Sequence, residues 1–239
     1  MFFTDWIFSI LRGVRDLLFP PLCLQCQILV VRPGSRLEQV CPECLATLRP
    51  MSRAYIQRHL LGRISPCYLD DLWIAFEFSE LIRQLVHCVK YRKMGNLGCR
   101  VGEIAASEFA EQLEGLGEEF VIVPIPLHPG RERERTYNQS ERLARGMFAQ
   151  HLNRLRCDLL TRGRQTGTQT RLDRRARIGN VSGAFQIDNL AVFRDRVVLL
   201  VDDVVTTGAT LNECARILKQ NGAGKVIGVA LASPVLVEE

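Results

Sequence analysis

The stretch Val198-Leu-Leu-Val-Asp-Asp-Val-Val-Thr-Thr-Gly-Ala-Thr210 decides how the rest of the chain is read. Its four leading apolar residues have the form of a buried strand in a parallel sheet. The strand delivers two carboxylates, Asp202 and Asp203, at its C-terminal end. The loop Thr206, Thr207, Gly208, Ala209, Thr210 then opens a helix. Backbone N–H groups at a helix N-terminus bind phosphate, and the helix dipole favours the anion. The three threonines add hydroxyl donors, and Gly208 lets the backbone approach a ligand closely. The two acids cannot hold phosphate. They suit sugar hydroxyls, or Mg2+ through its water shell. Neither a G-x-x-x-x-G-K-[ST] loop nor a G-x-G-x-x-G fingerprint is present. Ordinary helix capping does not account for two acids followed by T-T-G-x-T.

Working outward, Arg196–Val201 is the strand itself, Thr210–Gln220 its helix, and Asn221-Gly222 the stop signal. Lys225–Leu231 is a closing strand. Upstream, apolar spacing predicts helices over Glu80–Lys93, Gly98–Leu113 and Asn138–Leu152. Phe120–Ile125 reads as a buried strand and Asp158–Thr161 as a short one. Residues 162–183 have almost no apolar period and read as a long functional loop. Strands alternating with helices imply an α/β fold, a mostly parallel sheet flanked by helices with right-handed crossovers. Residues 1–70 carry no long strand pattern. They are expected to form a small lobe before a main domain over residues 71–239.

The chain has 239 residues, a net charge of +5 and 47% hydrophobic residues, which excludes a disordered or fibrous protein. Of its basic residues, 27 are Arg and 4 are Lys. Residues 131–177 hold a net charge of +8, leaving −3 for all the rest. Such a cluster points to a polyanion: pyrophosphate, a phosphorylated substrate or nucleic acid.

Cys23-Leu-Gln-Cys26 and Cys41-Pro-Glu-Cys44 are two C-x2-C knuckles separated by 14 residues. Four thiolates in this arrangement close a tetrahedral Zn2+ site. A closed site has no open position and is structural. Two redox-active pairs would instead belong with a βαβ pattern, which this region lacks. The other cysteines (Cys67, Cys88, Cys99, Cys157 and Cys214) are expected to be core thiols.

Residues 1–21 are apolar but interrupted by Asp5, Arg12, Arg15 and Asp16, so they do not make a membrane span. Phe3, Ile7, Ile10, Leu11, Val14, Leu17 and Leu18 recur at helical spacing. An amphipathic helix docked on the protein is expected, with a peripheral membrane contact as the other use of such a face. No secretory cleavage site follows, which implies a cytoplasmic location.

The segment 198–210 resembles the phosphoribosyl-pyrophosphate (PRPP) motif of type I phosphoribosyltransferases. "FPPLCLQC", "CPEC", "VKYRK" at 89–93, "VPIPLHPGRERERTYNQSERLA" at 123–144 and "RQTGTQTRLDRRARIGNVSGAF" at 164–185 precede it in order. Together these segments resemble the ComF/GntX family of competence-associated phosphoribosyltransferase-like proteins over nearly the whole chain. The resemblance implies that Asp202 and Asp203 contact the ribose hydroxyls of PRPP and that Thr206–Thr210 hold its 5′-phosphate, with Mg2+. It implies a pyrophosphate loop around Leu127, His128, Arg131, Arg135, Asn138 and Gln139. It also implies a mobile closing loop containing Gln169 and Arg177. The activity implied is transfer of phosphoribose to an acceptor with release of pyrophosphate. The other reading is a non-catalytic protein that binds nucleotide or single-stranded DNA on the same fold. Partners implied are competence proteins and single-stranded DNA. The family form R-G-F-N-Q is here Arg135-Thr-Tyr-Asn-Gln139, so a differently shaped loop is expected.

Overall fold

The structure is a computed structural model that describes residues 20–30, 37–117, 119–163, 185–187 and 192–235. The expected amphipathic N-terminal helix and most of the loop 162–183, with Gln169 and Arg177, lie outside the described residues. The chain divides between Leu48 and Arg49 into two compact units. The boundary therefore falls earlier than the expected one after residue 70. The reason is apolar packing: Met51, Ile56, Leu60 and Leu69 belong to the main core of the second unit.

In the first unit, an antiparallel bridge between Leu22 and Leu29 folds the first cysteine pair into a tight turn. The second pair sits on the short helix α1 (Pro42–Leu45), with Cys41 as its N-cap.

The second unit is built on four parallel strands: β1 (Asp71–Glu77), β2 (Phe120–Pro124), β5 (Val197–Val204) and β6 (Lys225–Ser233). Their order across the sheet is β1-β6-β5-β2. The central strands are near-continuous apolar runs because both faces are covered. Helices α2 (Glu80–Tyr91), α3 (Gly95–Ala106) and α4 (Ala110–Glu114) connect β1 to β2. The single helix expected over Gly98–Leu113 is thus broken, by a 3-10 turn at Ser107–Phe109. After β2 come α5 (Pro129–Arg135) and α6 (Gln139–Met147), and the helix expected to reach Leu152 ends in a 3-10 segment, Ala149–Arg154. A small antiparallel pair, β3 (Leu160–Arg162) and β4 (Phe185–Ile187), precedes β5. Helix α7 (Ala209–Gln220) joins β5 to β6. No helix among the described residues is long and apolar enough to cross a membrane.

One sheet face, with Val198 and Leu200 of β5, packs on α7 through Leu211, Cys214, Ala215 and Leu218. Helices α3 and α6 cross with their backbones nearly touching. A methyl group on Gly102 would lie 2.8 Å from the Met147 nitrogen, and one on Gly146 would lie 2.9 Å from the Glu103 nitrogen. Of the five lone cysteines, Cys88 and Cys214 are core thiols as expected, whereas Cys67 and Cys157 are exposed. Both exposed residues stand outside the helices and strands that face the core.

Candidate functional site

Strand β5 ends with the two acids, and its alternation sends them to opposite sides of the sheet. Asp203 follows Leu199 and Val201. It lines a small apolar recess with Leu85, Val89 and Lys90 of α2 and Gln139 and Leu143 of α6. There its Oδ2 forms an ion pair with Lys90 Nζ at 2.6 Å. Its Oδ1 accepts a hydrogen bond from the Val204 amide at 2.7 Å.

Asp202 follows Val198 and Leu200 toward the α7 side. Its Oδ1 accepts from the Asp203 amide at 2.8 Å and from Ser140 Oγ at 3.2 Å. Burial pushes the Asp202 carboxyl up to about 7, and the neighbouring Asp203 charge adds to the rise. Arg162, at the end of β3, feels Asp202 as well. Burial lowers its pKa, and the like charge of Arg131 on α5 lowers it further.

The loop after β5 turns at Gly208, whose φ of 72° lies in the left-handed region, and α7 begins at the next residue. A side chain here would meet Ile64 Cδ1 at 2.6 Å. Asn212, one turn into α7, clamps the same wall by accepting from the Tyr68 amide at 2.7 Å and donating to the Pro66 carbonyl at 2.9 Å. Thr207 Oγ1 accepts from the Ala209 amide at 3.3 Å. Among the described residues, the Thr207 and Gly208 N–H groups donate to nothing in the chain. Amide donors left over at a helix N-terminus, facing the end of a parallel sheet, are an arrangement that can receive an anion.

The loop after β2 supplies the opposite bank. Leu127 is buried, and His128 caps α5, its Nδ1 accepting from the Gly130 amide at 3.1 Å. Arg135 donates to Gln139 Oε1 at 2.8 Å and lies over the Tyr91 ring. Asn138 is the N-cap of α6. Its Oδ1 accepts from the Ser140 amide and its Nδ2 donates to the Ile125 carbonyl, both at 2.9 Å. Thr136 stands at φ 68°, in the left-handed region, where the family form has Gly. The loop here has a left-handed backbone of the kind glycine favours, with a threonine in it. Tyr137 is held by a hydrogen bond from its hydroxyl to the Val89 carbonyl, and Arg142 lies over its ring.

The structure thus brings Asp202 and Asp203 together with the 206–210 loop, and it ties Asn138, Gln139 and Arg135 into the loop that sets Ser140 against Asp202. His128, Arg135 and Gln139 each commit one polar group, and Asn138 both of its side-chain groups, to shaping this bank. Two residues not singled out from sequence, Lys90 and Ser140, touch the acids directly. Lys90 lies in the quoted VKYRK segment, and a lysine following Val89 in an otherwise Arg-rich chain was the available signal.

In the first unit, the sulfurs of Cys23, Cys26, Cys41 and Cys44 all lie within 4.8 Å of one another. Cys26 Sγ and Cys41 Sγ are 3.6 Å apart, close to the ~3.8 Å that four sulfurs ~2.3 Å from one tetrahedral ion require. The Cys41 and Cys44 amides donate to the sulfurs of Cys23 and Cys41, each at 3.4 Å. Such bonds stabilise thiolates, so these four residues can hold a metal ion.

Comparison with known proteins agrees with this geometry. The family model for the phosphoribosyl transferase domain matches residues 141–234. DNA utilization protein YhgH of Escherichia coli K12 is 31% identical over 212 residues, covering 86% of this chain and 81% of that protein. Competence protein F of Haemophilus influenzae is 37% identical over 113 residues, 44% of this chain and 46% of that protein. Competence protein ComFC of Streptococcus pneumoniae is 26% identical over 212 residues, 86% and 84% of the two chains. The chain belongs to the ComF family. Within that family match, the domain model spans most of α6 and all of β3, β4, β5, α7 and β6, so it includes both acids and the loop after β5. The paired cysteines lie before it, in the part of this ComF protein that forms its own unit.

Proposed function

We propose that this ComF-family protein binds PRPP with Mg2+ and transfers its phosphoribosyl group to an acceptor, in the service of DNA uptake. The observation that supports this most strongly is the sequence of groups along one strand end. A part-buried carboxyl, Asp202, is followed within one turn by free amide donors at the N-terminus of α7. The 5′-phosphate occupies the Thr206–Thr210 cradle, and Asp202 accepts from a ribose hydroxyl. The pyrophosphate lies toward Arg131 and Arg162, and Mg2+ arrives with it as its counter-ion. In the reaction, the bond from ribose C1 to the pyrophosphate oxygen breaks with its electron pair. The acceptor's lone pair forms the new bond to C1, and the acceptor loses a proton. Cations beside the leaving group stabilise the charge that develops there.

The relatives' names, DNA utilization protein and competence protein, carry the link to DNA. They also support a second reading, in which the protein binds nucleotide or single-stranded DNA without catalysis. The engagement of Asp203 by Lys90 favours that reading, because it leaves one acid rather than two for the sugar. Isothermal titration with PRPP and Mg2+, on the wild type and Asp203→Asn, separates these cases. Binding with pyrophosphate release in the presence of nucleobases or amines supports the transferase. Binding without release supports the second reading, and no binding sinks both.

We also infer that Cys23, Cys26, Cys41 and Cys44 hold a structural Zn2+, which supplies the folding energy that so small a lobe lacks. Metal analysis of freshly reduced protein is expected to find one Zn per chain. A value far below one rejects the site.

A further inference from the structure

The two acids at the end of β5 are neighbours in sequence, yet only one has an oxygen to offer. Asp203 is nine-tenths buried; its Oδ1 accepts from the Val204 amide, and its Oδ2 has no hydrogen bond but lies in an ion pair 2.6 Å from Lys90 Nζ. Asp202 is part-buried. Both of its hydrogen bonds fall on Oδ1, and among the described residues Oδ2 has no partner. The lysine reaches Asp203 from a helix outside the domain match, across a mainly apolar recess that Gln139 lines together with Leu85, Val89, Val101, Leu143 and Leu231. An ammonium group is not held in such surroundings without a carboxylate, nor a carboxylate without a cation.

We propose that Lys90 is a positioning residue of the ribose-phosphate site. Its ammonium group is a built-in cation that fixes Asp203 on the α2 side of the sheet and leaves Asp202 as the acid presented to a sugar hydroxyl. This rests on the ribose-phosphate reading given above and divides its two acids into one that meets ligand and one that does not.

Two consequences follow. Neutralising Asp203 lowers the negative charge that an incoming polyanion must approach, so PRPP meets one carboxyl rather than two. The pair also anchors the last turn of α2. The next residue, Tyr91, supports Arg135 of the β2 loop, so one short segment braces both banks of the site. A lysine suits this place better than an arginine, because a compact point charge serves one carboxylate oxygen, whereas a guanidinium fork wants two acceptors and more room.

The test is a double-mutant cycle on PRPP binding in Mg2+, with Lys90→Met, Asp203→Asn and the combination, each checked by thermal melting. The expected result is that K90M weakens PRPP binding by about tenfold or more, as loss of one partner of a buried pair does. K90M/D203N is expected to bind no worse than D203N, because Lys90 acts through Asp203. A purely structural lysine would lower the melting temperature without this non-additivity in affinity. Wild-type affinity in K90M, or losses that add in the double variant, overturns the proposal. If K90M does not fold, the double variant decides: affinity equal to D203N supports the role, and a further loss overturns it. A wild type that binds no PRPP overturns the ribose-phosphate reading and this role together. A wild type that binds beside an unaffected K90M removes the role of Lys90 alone.

Discussion

The loops that follow β2 and β5 solve the same problem with different residues. Each leaves a parallel strand of the sheet and reaches the helix beside the acids through one left-handed residue, directly after β5 and by way of α5 after β2. After β5 that residue is Gly208 at φ 72°, and after β2 it is Thr136 at φ 68°. Glycine adopts this backbone without cost, whereas a β-branched residue there is strained. The β2 loop retains its shape because its neighbours over-determine it. Asn138 ties it to Ile125, Tyr137 to Val89, and Thr136 bonds its own hydroxyl to the Arg135 carbonyl at 2.5 Å. One loop is shaped by a missing side chain, the other by contacts made with side chains.

The comparison breaks most sharply at Gly208. Gly208→Val is expected to cost about 3 kcal/mol, from the left-handed backbone and the collision with Ile64 together, and to abolish PRPP binding. Chemical denaturation with a parallel titration checks both. Next comes Asn138→Ala, which removes the cap of α6 and its tie to the Ile125 carbonyl. A loss of about 2 kcal/mol is expected, and retention of full stability would show that the β2 loop does not depend on its contacts.

A smaller, pH-dependent effect is expected where the two banks meet. In the folded protein Asp202 keeps its proton up to about pH 7, whereas the unfolded chain releases it near pH 4. Stability from this group is therefore complete below about pH 4 and is lost as pH rises through about 7. Asp202→Asn removes that loss, so its melting temperature should gain on the wild type as pH rises from 4.5 to 8. A constant difference across the range would contradict the raised carboxyl. Smallest is Thr136→Gly, expected to stabilise by roughly 0.5 kcal/mol after the extra freedom of the unfolded chain is subtracted. A destabilised T136G would mean that the Thr136 side chain contributes more than its backbone strain removes.

The same contrast governs what was legible in the sequence. The β5 side is a local pattern, an apolar run, two acids and a threonine–glycine turn, and it needed no partner to be recognised. The β2 side is made of long-range pairs. Lys90 occupies an ordinary polar position on α2, and nothing nearby in the chain shows that it faces Asp203. Helix α5, Pro-Gly-Arg-Glu-Arg-Glu-Arg, has no apolar face to detect. It starts because His128 caps it and Pro129 fits its first turn. Strand β1, Asp71–Glu77, was not anticipated because its alternation is erased. Five consecutive residues, Leu72–Phe76, are buried on both sides. The misplaced unit boundary has the same origin, since the apolar residues at 51–69 find their partners in β1 and the distant α7.

The crossing of α3 and α6 has a mechanical meaning. With backbone against backbone at Gly102 and Gly146, there is no compliant layer of side chains between the two helices. They behave as one stiff plate, and Ser140 stands at one edge of it, bonded to Asp202. Anything that tightens the grip on Asp202 damps the whole plate. The amide protons of Leu97–Ala105, which touch neither acid, should therefore slow their exchange with solvent in step with those of α6 when the site is filled.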